Sequence, residues 1–116
     1  MSDSDEKFLF VLQHGDNRFD LMPFSIAQTW RNDQGLDVAL YLMYDAVQLV
    51  SRDRLADRPD IKEAVDHLLQ GGASIYVCGF CTRACQISAD EYYPGIVVAN
   101  RRIFYTLMIE RRVVYY

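Results

Sequence analysis

The sequence predicts a three-layer α/β/α domain on a five-stranded, mainly parallel sheet. Two observations carry that expectation. The two longest strand-like segments are apolar throughout rather than alternating, as strands buried on both faces are. Between the strand-like segments lie stretches with helical spacing and helical end signals, so strand and helix alternate along the chain. A chain of 116 residues that is 51% hydrophobic, with eight tyrosines and six phenylalanines, has material for one packed core and little room for a second.

Residues 1–7 read as a flexible acidic tail, and 8–116 as the single domain. Phe8-Leu9-Phe10-Val11-Leu12 is the first expected strand, ending in the turn chemistry of Gln13-His14-Gly15-Asp16-Asn17. Asp20 is the expected cap of a helix that has Pro23 in its first turn and Phe24, Ala27 and Trp30 at helical spacing, with Gly35 as its end. Val38 to Tyr44 is the second strand. A helical or irregular stretch from Asp45 to Arg58 follows, with Asp45 expected to cap it. Pro59-Asp60 opens the clearest helix, in which Ile61, Ala64, Val65, Leu68 and Leu69 form the apolar stripe and Gly71-Gly72 the close. Ser74 to Val77 is a short third strand running into Cys78. Ser88 caps a brief turn, Pro94-Gly95 breaks it, and Ile96-Val97-Val98 is strand four. Asn100 caps a helix over 101–110, and Val113 to Tyr116 is the closing strand.

Composition narrows the function classes. The net charge is −4, and the densest basic clusters are the pairs Arg101-Arg102 and Arg111-Arg112, too sparse for a nucleic-acid footprint. No apolar run approaches the roughly 18 residues of a membrane span. The start is polar and acidic, unlike a signal peptide, so a soluble cytoplasmic protein is expected.

Three cysteines within eight residues, Cys78, Cys81 and Cys85, are the anomaly of the composition. An odd number without an export signal argues against a structural disulfide set and leaves reactive thiols or a metal site. In open parallel sheets, ligands gather beyond the C-terminal ends of the strands, where Cys78, Asp45 and His14 all fall. Cys78 ends a strand and precedes a short helix, whose first N–H groups favour a thiolate. Arg83 adds positive charge within a turn or two. Cys81 has redox-pair spacing to Cys78 and stands i, i+4 from Cys85. Such thiols suit persulfide chemistry, which needs neither metal nor organic cofactor: a thiolate takes a sulfane sulfur as S–SH and yields it to another thiol. Plain packing is the alternative, strongest for Cys85. A metal site would need a fourth ligand, for which His14 is the neighbouring option. His14 is also open to a role as base or as an ordinary loop residue, and His67 reads as a surface residue.

The chain resembles the DsrE/DsrF-like family, nearest its small YchN-like branch. The likeness rests on His14-Gly15-Asp16, on Leu40-Tyr41-Leu42-Met43-Tyr44-Asp45-Ala46-Val47, on Val77-Cys78-Gly79-Phe80-Cys81-Thr82 continuing to Gln86-Ile87-Ser88, and on the final helix and strand. The resemblance implies a five-stranded parallel sheet and homo-oligomers, commonly trimers or hexamers. It also implies sulfur relay between donor and acceptor proteins, with the persulfide on Cys78 and the second motif cysteine at Cys81. One departure stands out: where the family usually has Arg-Gly-Ile, this chain has Cys85-Gln86-Ile87. The alternative function is an oligomeric binding or regulatory module whose cysteines sense redox state.

Overall fold

The computed structural model describes residues 6–15 and 18–116. Most of the acidic tail, through Asp5, lies outside the described residues, as do Asp16 and Asn17 of the first turn. Strands β1 (Lys7–Leu12), β2 (Asp37–Leu42), β3 (Ser74–Cys78), β4 (Ile96–Ala99) and β5 (Arg112–Tyr115) form one sheet in the order β4-β3-β2-β1-β5. Each neighbouring pair is parallel, so the sheet is parallel throughout. Leu12 lies beside Leu42, Leu42 beside Val77, and Val77 beside Val98. The loops after these strands therefore leave from one edge.

Helices α1 (Leu21–Gln28), α2 (Arg52–Asp57), α3 (Pro59–Gln70), α4 (Gly79–Ala84) and α5 (Arg101–Glu110) complete the layers. Alternation along the strands sorts their side chains into two cores. Phe10, Leu12, Leu40, Leu42, Ile75 and Val77 meet Phe24 of α1 and Ile61, Val65 and Leu68 of α3. Leu9, Val11, Ala39, Tyr41 and Ala99 face the other way, against Leu107, Ile103 and Phe104 of α5. Full burial of such a side chain stabilises the fold by roughly 1.5–3 kcal/mol. The two faces are unequally covered. Among the described residues α5 alone supplies the helical layer of the second core, and that inequality leaves room for a cleft. Among the described residues no helix is long and apolar enough to cross a membrane.

Several local expectations are corrected. β2 stops at Leu42 rather than Tyr44, because Tyr44 takes a left-handed φ of 52° and opens a 3-10 turn over Tyr44–Val50. Asp45 does not cap that turn. Met43 occupies the cap position and Asp45 lies exposed in the first turn, whereas Ser51 caps α2 by accepting the Arg54 N–H at 3.2 Å. Asp20 stands at the head of α1, but its own backbone is already helical and its side chain makes no capping bond. Trp30 lies in a wider π turn, Thr29–Asp33, and packs edge-on against Phe8 and Phe10. Gly35 ends this segment with φ +72°, a conformation suited to glycine. Asn100 caps α5 as expected, accepting the Ile103 N–H at 2.9 Å.

Candidate functional site

The site begins with the way β3 meets α4. Cys78 is both the last strand residue and the N-cap of the helix, with extended backbone angles. Its sulfur takes the place of a serine oxygen and accepts the Cys81 N–H at 3.4 Å. The next residue is glycine for a steric reason. A Cβ at Gly79 would come within 2.9 Å of the Ala99 carbonyl oxygen, at the end of β4. The helix closes at Gln86, a left-handed residue at φ 59°, with Ile87 N–H donating to Thr82 O and Gln86 N–H to Arg83 O. Thr82 is pinned by a 2.7 Å hydrogen bond to the buried Tyr92 hydroxyl.

All three thiols are free, and their surroundings differ. Cys78 is half-buried and opens into a cleft of about 460 Å³. Burial pushes its pKa up, but the Cys81 N–H, the Cys81 thiol, the Tyr41 hydroxyl and the Phe80 N–H together outweigh it. The net shift is below the ordinary thiol value. Tyr41 and Cys81 move the opposite way. Burial, and then the Cys78 thiol beside it, hold the Tyr41 hydroxyl protonated. Burial, then the hydrogen bond with Cys78, pushes Cys81 up to about 11. Cys81 is 7% exposed, and its sulfur accepts the Tyr44 N–H at 3.1 Å. Cys78 is thus the thiol disposed to ionise, beside two groups disposed to keep their protons.

Cys85 belongs to different surroundings. Its sulfur accepts from the Gln48 amide at 3.7 Å and lines a second cavity of about 360 Å³ with Arg52, Arg54, Asp90 and Glu91. Arg83, exposed on α4, lines the Cys78 cleft. His14 does not line it. His14 is exposed and faces a third cavity, of about 180 Å³, with Phe19, Met22 and Tyr116. Asp45 is also absent from the cleft wall. Its contribution is a backbone carbonyl so close to Gly15 that a Cβ there would collide with it. His67 is exposed on α3 and bonded to Gln28 at 2.8 Å. Among the described residues no group of three His, Cys, Asp or Glu side chains is placed to hold a metal ion.

Sequence reasoning missed Tyr41, the Tyr44 N–H and the α5 wall of the cleft. Phe104 stacks on Tyr41 with ring centroids 4.2 Å apart, and Arg101 and Tyr105 extend that wall outward. A signal for Tyr41 was present, since a tyrosine inside an apolar central strand needs a partner for its hydroxyl. The other tyrosines noted in the sequence include structural bonds: Tyr92 to Thr82, and Tyr93 donating to Asp66 at 2.6 Å.

Fold and site together define a small parallel α/β protein that presents a thiol at the C-terminal edge of its sheet. The chain belongs to the DsrE/DsrF-like family, whose model matches residues 6–115. Its fold superposes on the YchN protein of E. coli with a TM-score of 0.83 at 20% identity, covering 96% of this chain and 99% of that one. A protein of unknown function from Methanobacterium thermoautotrophicum superposes with a TM-score of 0.80 at 16% identity, covering 97% and 100%. In sequence, the chain is 26% identical over 68 residues to an uncharacterized protein of Methanopyrus kandleri. That alignment spans 58% of this chain and 56% of the relative.

Proposed function

We propose that the protein is a cytoplasmic sulfur-relay component that carries sulfane sulfur as a persulfide on Cys78. The observation that carries this reading is the open cleft at Cys78, together with the donors that lower its pKa. Membership of a family linked to sulfur relay supports it. The chemistry conserves electrons. The Cys78 thiolate attacks the outer sulfur of a persulfide, R–S–S–H, and forms Cys78–S–S–H as R–S⁻ leaves. Cys81, protonated beside it, donates to the developing charge. Delivery is the reverse step, onto the thiolate of an acceptor protein. We also infer that the chain assembles into homo-oligomers, trimers or hexamers. The sheet edge at β4, where Val97 and Val98 are exposed, supports this reading.

The test is incubation with polysulfide followed by intact and peptide mass measurement. Wild type gains one sulfur atom at Cys78, and Cys78→Ser gains none there. Equal loading of Cys78→Ser overturns the assignment. The contact between the Cys78 and Cys81 thiols favours one other reading, a redox sensor that closes a disulfide between them. It predicts the loss of two free thiols on oxidation, with no sulfur acquired.

A further inference from the structure

The cleft at Cys78 carries more information than the thiol alone. Its floor and walls are apolar or aromatic, with Tyr41, Met43, Phe80, Val98 and Phe104 around the sulfur. Its polar charge is of one sign. Arg83 and Arg101 line it, and among the described residues no carboxylate does, although the chain as a whole is acidic at −4. Both arginines are exposed, and neither forms an ion pair among the described residues. They stand on different elements, Arg83 on α4 and Arg101 at the first position of α5. A Cβ at Gly79 would lie 3.7 Å from Arg83 Nη1, so this guanidinium reaches back beside the residue that follows Cys78. The volume, about 460 Å³, is many times that of a bare sulfur anion and falls among pockets for small organic ligands.

We propose that this cleft binds a low-molecular-weight organic persulfide bearing carboxylates, which loads Cys78 directly. The inference rests on the persulfide reading of Cys78 and adds the class of donor. The thiol body of the donor lies against the aromatic floor, and its carboxylates pair with Arg83 and Arg101, whose planar forks suit that geometry. The outer sulfur then meets Cys78. The S–S bond of the donor breaks, a new one forms at Cys78, the proton stays on the transferred sulfur, and the donor departs as its thiolate.

The experiment compares two probes of the same skeleton, the persulfide of glutathione and the persulfide of its diethyl ester. Loading of Cys78 is followed by mass as a function of probe concentration, on wild type and on Arg83→Gln/Arg101→Gln. The free-acid probe half-saturates wild type at a concentration about tenfold lower than the ester, the effect of roughly 1.4 kcal/mol of ion pairing. The double variant loses most of that ratio. Because the ratio is taken within one protein sample, it is insensitive to any change in the thiol itself. Equal half-saturation of acid and ester by wild type, as expected of a site serving only protein donors, overturns the proposal. A preference that survives in the double variant overturns it too. In both cases loading by polysulfide still upholds the persulfide reading. If a second copy of the chain seals the cleft, neither probe loads Cys78 and the proposal fails. Failure of polysulfide as well removes both readings.

Discussion

At the scale of single residues, the site depends on where protons sit. The protonated Tyr41 hydroxyl is a donor beside the Cys78 sulfur and favours its thiolate. Tyr41→Phe removes that donor and keeps the ring stacked on Phe104. The pH midpoint for alkylation of Cys78 by iodoacetamide should rise toward the ordinary thiol value, with little change in stability. An unchanged midpoint would show that the hydroxyl plays no part in setting the charge. Cys78 and Cys81 were legible in the sequence because strand end, N-cap and spacing are all local features. Tyr41 was legible only as a strand tyrosine in need of a partner, because that partner lies 37 positions away on the next strand. The Tyr44 N–H left no trace in the sequence at all, being a backbone group turned by one left-handed residue. His14 and Asp45 both fall at the C-terminal edge of the sheet, and an edge is wide. β1 lies two strands from β3, about 10 Å away at the usual spacing, so a shared edge does not mean a shared cleft.

At the scale of elements, α4 and its joints decide how the thiols are held. Gln86 sits at φ 59°, where a residue with a side chain is disfavoured by about 1 kcal/mol or more. Gln86→Gly should therefore stabilise the protein by about 1 kcal/mol, read from the urea midpoint. Gly79→Ala should do the reverse, by roughly 1–3 kcal/mol, because the new Cβ meets the Ala99 carbonyl. A neutral result would mean that β4 moves aside freely. Asn100→Ala removes the α5 cap and should cost about 1 kcal/mol. Most elements were legible, since caps and periodicity are written over neighbouring residues. The end of β2 was not, because an apolar run continues through Met43 and Tyr44 while the backbone leaves the sheet. Asp45 and Asp20 carry capping side chains, but Asp45 falls inside the first turn, after the cap position held by Met43, and the backbone of Asp20 is already helical.

At the scale of the whole molecule, the unequal covering of the sheet is the organising fact. Among the described residues one face is closed by α1 and α3 and the other by α5 alone, so the cleft is a consequence of layer composition as much as of any side chain. Burial also couples the global fold to pH. Cys81 is neutral when folded, with its pKa pushed up to about 11, while an unfolded chain ionises it near ~8.5. Above that lower value the unfolded state binds fewer protons, so stability falls as pH rises toward the upper one. Cys81→Ala should flatten this decline in urea titrations across the alkaline range. If the decline is equally steep without Cys81, another group is responsible. The sealed position of Cys81 has a separate kinetic consequence. A reagent in solution reaches its sulfur only when the turn at Tyr44 parts from α4. In a chain with Cys78 and Cys85 replaced by serine, the rate of thiol labelling becomes a clock for that opening. Its dependence on denaturant then separates a local breath of the cysteine turn from unfolding of the entire domain.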